Sequence, residues 1–215
     1  MIVYLLGRNQ SNFHVLYYFY DGMDAINKLK QYHLPPGRRM RYLRISEKGT
    51  ERKRSFKVRN DPRGNVTKFE DFKESLKILE MEEHCEMIWK VLAAILILGE
   101  IRFIEDNNGE ADMDNNDAAN KGKEFYIPTF HKPMWYFSII SLIPVAELLS
   151  LDEKKFSWAL LNYCMIVNGN AVRRKHTYEE AKEARDVLAN TIYQRLVDWI
   201  VNTINVKFTL TRSLL

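Results

Sequence analysis

The feature that most constrains the fold is a long amphipathic stretch near the end of the chain. Thr177 stands three residues before Glu180, the spacing of a capping box, in which the hydroxyl accepts from a free amide and the carboxylate reaches back to the cap residue. We therefore predict one long helix after Thr177 that serves as a structural backbone. Its apolar residues keep to one face for about seven turns: Ala181, Ala184, Leu188, Ile192, Leu196, Ile200 and Ile204.

Shorter segments with helical apolar spacing precede this helix. A buried aromatic helix is predicted over residues 12–23 and is expected to stop near Gly22. The other predicted elements are a helix at about 69–79, a helix over 82–98 that Gly99 closes with a positive φ, a strand at 101–104 and a helix over 151–163. The predicted fold class is mainly α with a few short strands.

Charge is nearly balanced over the whole chain but concentrated in one region. Lysine and arginine outnumber acids 32 to 28, a formal net charge of +4, which is a mild basic bias and not the footprint of a nucleic-acid-binding protein. Residues 38–63 form a basic region, with ten Lys/Arg and two Glu between Arg38 and Arg59. Pro and Gly breakers predict solvated loops with a short extended segment there. We expect no nucleic-acid partner.

The sequence indicates neither a metal site nor a membrane span. Cys85 and Cys164 lack the spacing of a zinc site or a disulfide framework. Within the acid-rich stretch 105–117, Asp112-x-Asp114-x-Asn116 begins like a calcium loop, but Asp117 and Lys123 occupy the sixth and twelfth positions, where that loop needs Gly and Glu. We therefore predict a flexible acidic loop. The apolar stretch 134–145 is shorter than the about 20 residues that cross a bilayer, so no transmembrane segment is predicted.

Three separated segments resemble the myosin motor family, in the order that family uses. Residues 11–18, SNFHVLYY, are similar to RNFHIFYQ, and residues 88–101, IWKVLAAILILGEI, are similar to IWxILAAILHLGNI. Within 180–205, ARDVLAN and RLVDWIVNTIN resemble ARDALAK and RLFDWLVxRIN. Three such segments in order are specific, so residues 1–215 are interpreted as a partial motor domain of an unconventional, Dachs-like class. The resemblance implies a fragment of the α/β P-loop NTPase fold of myosin, within its upper 50 kDa subdomain.

The resemblance also implies an actin contact. The stretch 167–176, predicted as a projecting loop with apolar residues beside three cations, corresponds to the family's cardiomyopathy loop, which contacts actin. Cations would attract actin's acidic surface at long range, and apolar residues would bury area on contact. A solvated basic turn is the alternative interpretation of the residues alone. The candidate actin-binding residues are Ala171, Val172, Arg173, Arg174 and Lys175.

One position in this loop departs from the family pattern. Asn170 stands sixteen residues before Asp186, at the position where many myosins carry an acidic or phosphorylatable residue. The departure puts phosphorylation control and fast actin-activated cycling in doubt.

The resemblance implies further partners of the complete motor. ATP and Mg²⁺ are its cofactors, and its partners are filamentous actin, the rest of the motor and neck light chains, in the cytoplasm on the actin cytoskeleton. ATP chemistry on this fold needs a GxxxxGKS/T loop and two switch segments, and none occurs in this sequence. We assign no catalytic or metal-binding residue and expect no hydrolysis by this chain alone.

Part of the chain does not match the family. Within residues 105–144 the acidic loop is followed by an apolar insert at 121–144, after which family-like sequence resumes at Val145. Codons for Lys121-Gly122-Lys123 can contain a splice donor, and 137–144 can be encoded by a pyrimidine-rich tract. A retained intron is one hypothesis; a real apolar insert that docks a partner is the other.

Two functions from different classes remain after these observations. The first is a fragment of an ATP-dependent actin motor that contributes an actin-binding loop and relay helices. The alternative is a noncatalytic actin-binding or scaffold protein derived from a myosin. A third interpretation, an independent enzyme, lacks support because His14 and His84 fall in predicted helices without a nucleophilic arrangement around them.

Overall fold

The computed structural model describes residues 12–37, 40–43, 61–113 and 138–213. In chain order its elements are α1 (His14–Ala25), α2 (Pro62–Ile78), α3 (Cys85–Leu98), β1 (Phe103–Glu105), β2 (Ala111–Met113), α4 (Ser138–Leu148), α5 (Glu153–Leu161), β3 (Asn162–Val167), β4 (Asn170–Lys175) and α6 (Tyr178–Ser213). Short 3-10 turns occupy Leu29–Tyr32, Arg41–Leu43 and Glu82–His84. The predicted class, mainly helical with short strands, is confirmed. None of the helices in these ranges is long and apolar enough to cross a membrane.

Helix α6 is the long helix that the sequence predicts, with 36 residues. The Thr177 amide donates to Glu180 Oε2 at 2.8 Å, and the Glu180 amide donates to Thr177 Oγ1 at 3.3 Å, so the capping box is confirmed. The helix packs against α3. Its buried positions are spaced four or seven residues apart: Ala181, Arg185, Ala189 and Leu196.

A buried cation, Arg185, connects α6 to the chain segment before β1. Its side chain is 1% exposed; Nη1 donates to the Ile101 carbonyl at 2.8 Å and Nε donates to Asp186 Oδ1 at 2.8 Å. The Tyr42 hydroxyl donates to the same carboxylate oxygen at 2.6 Å. Burial lowers the pKa of Arg185, but hydrogen bonding and charge from Asp186 outweigh it and leave that pKa raised. The Arg185-Asp186 pair that carried part of the family resemblance is thus a structural crosslink.

Helices α1, α2 and α3 enclose an aromatic core. The Phe19 and Trp89 rings stack with centroids 5.8 Å apart, and Phe69 lies 5.0 Å from Trp89. The prediction that α1 stops near Gly22 is wrong, because the helix continues to Ala25. A Cβ on Gly22 would lie 2.1 Å from the Phe69 ring. The glycine is needed for the close approach of α2, not for a helix end.

Gly99 also has a packing role. The sequence predicts that a positive φ at this residue closes α3, but its φ is −60°, so that reason is wrong. A Cβ at Gly99 would lie 2.7 Å from the Tyr42 ring. The Tyr42 ring therefore occupies the space that a side chain at Gly99 would fill, so only glycine fits there.

Residues 103–113 form a short hairpin, β1–β2. Phe103 pairs with Met113, and Glu105 pairs with Ala111. In the turn, Asp106 Oδ1 accepts from the amides of Asn108 at 2.8 Å and Glu110 at 2.9 Å, and these backbone hydrogen bonds lower the pKa of Asp106. The predicted flexible acidic loop is therefore corrected for 105–113, and its remainder, 114–117, lies outside the described residues.

The two unusual regions of the sequence are described only in part. The described end of the insert is helix α4, which contains Pro144 and packs on α3 through buried residues that include Leu142 and Val145. Residues 121–137 and, in the basic region, 38–39 and 44–60 lie outside the described residues. At the end of the basic region Asp61 caps α2, its Oδ1 accepting from the Gly64 amide at 2.9 Å, so the predicted loop is helical from Pro62. The domain boundaries and the retained intron stay predictions.

Candidate functional site

The predicted projecting loop at 167–176 is mostly a β-hairpin. Strands β3 and β4 pair antiparallel, with registers from Asn162–Lys175 at the base to Val167–Asn170 at the tip. Asn168 and Gly169 form the two-residue turn with φ of 52° and 79°, as a type I′ turn requires. Two predictions are corrected: helix α5 ends at Leu161 rather than continuing to 163, and the loop is strand.

A local signal for this hairpin was present in the sequence. Asn-Gly between two runs that contain β-branched residues is the strongest short-range indication of a type I′ hairpin. The prediction of a loop instead of strands overlooked that both positions of such a turn need positive φ, which Asn and Gly adopt most readily.

Side chains alternate between the two faces of strand β4. Residues paired across the strands share a face. One face therefore carries Cys164, Ile166, Ala171, Arg173 and Lys175, and the other carries Tyr163, Met165, Asn170, Val172 and Arg174.

Lys175 is held by the β1–β2 hairpin. Its Nζ lies 3.1 Å from Glu110 Oε2 and 3.7 Å from Asp106 Oδ2. The hydrogen bond to Glu110 is the main reason that the pKa of Lys175 is raised. We call these three side chains the clasp. A backbone contact accompanies it, because the amide of Ala111 donates to the carbonyl of His176 at 2.8 Å. The turn end of the β1–β2 hairpin is therefore joined to the base of the β3–β4 hairpin.

The other two cations differ in their surroundings. The Arg173 guanidinium lies 5.2 Å from the centroid of the Trp158 ring, within the range of a cation–π contact, and its Nε donates to Asn162 Oδ1 at 3.2 Å. Arg174 is exposed and makes no hydrogen bond or ion pair within the described ranges. Its charge adds only the last contribution to the lowered pKa of Glu180, which is caused first by the hydrogen bond from the Thr177 amide. Of the three cations, Arg174 is the one left available to a partner.

The hairpin tip exposes apolar side chains. Ile166 is 80% exposed, and Val167 and Val172 are each 40% exposed. Single exposed apolar residues are common on protein surfaces, but a group of them at the end of a projecting hairpin is typical of an interaction site.

The base of the hairpin is fixed between α5 and α6. The His176 ring stacks on Tyr163 with centroids 5.0 Å apart, and the His176 amide donates to the Leu161 carbonyl at 2.8 Å. His176 Nδ1 lies 3.1 Å from the Leu160 carbonyl oxygen. Because the next residue, Thr177, caps α6, the direction of the hairpin is coupled to that helix.

An open cleft of about 550 Å³ separates the two hairpins at this base. Arg173, Arg174 and Lys175 line it together with Glu110 and Thr177. Among the described residues no group of three or more His, Cys, Asp or Glu side chains could hold a metal ion.

The structure thus brings all five candidate contact residues onto one strand, β4. The three cations differ in their surroundings. Lys175 and Arg173 contact side chains within the fold, whereas Arg174 makes no hydrogen bond or ion pair in the described ranges. Asn170 is exposed at the tip, where it begins β4. The contact roles and the regulatory equivalence of Asn170 stay predictions.

Comparison with known proteins agrees with these features. A family model for the myosin head, the motor domain, matches residues 140–213. The chain is 39% identical over 205 residues to "Neither inactivation nor afterpotential protein C" of Drosophila melanogaster, covering 95% of this chain and 12% of that protein. It is 28% identical over 200 residues to Myosin-IIIa of Homo sapiens, covering 91% and 11% of the two chains. Unconventional myosin-Id of Rattus norvegicus is 31% identical over 142 residues, with 66% and 12% covered.

The chain spans only 11 to 12% of the length of these relatives. The similarity nevertheless extends along nearly the whole chain, and the family match falls on α4, α5, the β3–β4 hairpin and α6. The chain therefore belongs to the myosin family and corresponds to a segment of its motor domain.

Proposed function

We propose that this chain is the actin-contacting segment of an ATP-dependent, actin-based motor and that the β3–β4 hairpin touches the filament. The observation that carries the proposal is an exposed apolar tip beside a cation that makes no hydrogen bond or ion pair in the described chain. Val172, 40% exposed, shares a strand face with Arg174, and Ile166, 80% exposed, lies on the opposite face. Family membership supplies the partner, since myosins act on actin filaments.

The two parts of this surface contribute differently to binding. Burying a large apolar side chain completely stabilises a complex by roughly 1.5–3 kcal/mol, so the tip supplies short-range affinity. A rim cation facing an acidic surface mainly speeds association and makes binding depend on salt. Binding through this hairpin should therefore weaken, but not vanish, as ionic strength rises.

The remaining functions belong to the complete motor. ATP and Mg²⁺ would bind in parts of the motor domain that carry the phosphate loop and switches, and neck light chains would bind outside this segment. Helix α6 starts at the hairpin base, has 36 residues and packs against α3, which suits it to relay movement of the hairpin to the rest of the motor. A cytoplasmic location on the actin cytoskeleton follows from this role. Similarity to Myosin-IIIa favours a class III-like motor over the Dachs-like type.

The test is cosedimentation of the purified, folded chain with filamentous actin at low and moderate salt. We expect the apolar variant I166S/V172S to lose affinity at both salt concentrations. The cation variant R173A/R174A/K175A should lose affinity mainly at low salt. As a matched control, K154A/K155A removes two exposed cations from α5, whose side chains have no partner in the described ranges, and should bind like the native chain.

Two results would refute the proposal. If the folded native chain does not pellet with actin, this segment does not contact the filament, and only its membership of the family remains. Binding that both hairpin variants retain in full would move the contact elsewhere. ATP hydrolysis by the full-length protein, measured with and without actin, separates a motor from the noncatalytic actin-binding protein that is the alternative.

A further inference from the structure

We infer that the clasp positions the hairpin and that, of the three cations on β4, Arg174 alone meets the acidic filament surface directly, while Lys175 acts through Glu110 and Asp106. This inference rests on the proposed function and divides the roles of residues that the sequence treats alike.

The first argument is the difference in available partners. Lys175 Nζ already has two carboxylate oxygens within 3.7 Å, so its charge is largely compensated before any filament approaches. Arg173 lies over an indole ring and bonds to Asn162. Arg174 makes no hydrogen bond or ion pair in the described chain and has only a minor charge interaction with Glu180 there. It lies on the strand face of Val172, where exposed apolar area and positive charge coincide.

The second argument concerns what holds the hairpin in place. A two-stranded hairpin alone is marginally stable in water, and β4 is exposed along its whole length. At the base, the clasp joins β4 to the β1–β2 turn, in the same place as the backbone hydrogen bond from Ala111 to His176. An exposed ion pair contributes little to global stability, but it selects the direction in which a projecting element points.

The third argument is geometric and concerns the acidic hairpin. Asp106 accepts two backbone hydrogen bonds within its own turn, which fix the carboxylate that faces Lys175. The clasp therefore has one fixed carboxylate, that of Asp106, to which the lysine side chain adapts. A lysine used in this way is a positioning residue for the contact.

The experiment compares three charge variants in actin cosedimentation at low salt. R174E and K175E lower the net charge equally, so any difference between them is positional. We expect R174E to raise the Kd for actin at least about tenfold, because a like charge then faces an acidic surface. K175E should raise it about threefold to fivefold, the scale of one exposed ion pair. The swap K175E/E110K restores the ion pair between positions 110 and 175 with reversed charges while Asp106 stays unchanged, and it should restore the Kd to within about twofold of native.

Amide hydrogen exchange of β4 gives a second readout that does not depend on actin. K175E should speed exchange of the β4 amides, the swap should restore it, and R174E should leave it unchanged. If the swap restores exchange but not actin binding, Lys175 touches the filament and the inference is wrong, while the proposed function stands. If K175E leaves exchange unchanged, no clasp operates and the inference is likewise wrong. Absence of actin binding by the native folded chain would overturn the proposed function together with the inference.

Discussion

The buried pair of Arg185 and Asp186 offers the sharpest test of how this segment is held together. Substitution D186N keeps an oxygen that can accept from Tyr42 and Arg185 but removes the charge that balances a guanidinium 1% exposed to solvent. Breaking a buried ion pair from one side costs about 3–5 kcal/mol. We expect the lower end, about 3 kcal/mol, because the hydrogen bonds can persist.

The measurement is urea unfolding followed by tryptophan fluorescence, with the slope checked for equality between variants. For a chain of this size a loss of about 3 kcal/mol lowers Tm by roughly 6–12 °C. The matched control is D198N on the same helix, where the carboxylate is exposed, and it should change the free energy of unfolding by less than about 0.5 kcal/mol.

A double variant identifies the cause. R185M/D186N removes the stranded cation as well as its partner, so it should be less destabilised than D186N alone. Equal losses in D186N and D198N, or a double variant that is destabilised more than D186N, would refute the reasoning that an unbalanced buried charge is the source.

Four further predictions concern two glycines, a helix cap and a titrating carboxylate. G22A should lower the free energy of unfolding, measured by urea titration, by about 1–3 kcal/mol, because its Cβ would lie 2.1 Å from the Phe69 ring. At Gly169 an added methyl group would meet nothing within 4 Å, but φ is 79°. Alanine there should lower the free energy of unfolding by about 1–2 kcal/mol from backbone strain alone. T177A should cost about 1 kcal/mol by loss of the helix cap, with T177S near native as control, and equal stability of the two would contradict the capping role. The pKa of Asp106 is lower in the folded chain, so its carboxylate stabilises the fold above the ordinary pKa of about 4, and this stabilisation is lost as the pH falls through the folded pKa. NMR chemical shifts of the turn amides should report the titration. The variant D106N should abolish this pH dependence.

The sequence predicted those parts of the fold that local physics decides. The capping box at Thr177 and the apolar spacing beyond it are sufficient to begin a helix and to choose its buried face. The prediction of helices at α2 and α3 succeeded for the same reason. The spacing of apolar residues alone was also sufficient to predict the mainly helical fold class.

Predictions about glycine failed where the reason for the glycine lay in another element. Gly22 and Gly99 were assigned to helix ends, yet each makes room for a ring, Phe69 or Tyr42, that comes from elsewhere in the chain. No local pattern encodes such a contact, since it depends on how helices pack. Asn168-Gly169 is the opposite case, because there the local signal was sufficient and was overlooked.

For the candidate site, the sequence by itself determined that three cations and apolar residues lie together before a long helix. Only the tertiary structure decided that these cations are not equivalent. The β1–β2 turn brings Asp106 and Glu110 to Lys175 from more than sixty residues away, and α5 brings Trp158 to Arg173. Charge is a property of the residue, but whether that charge is available to a partner depends on what the fold places within a few ångströms of it.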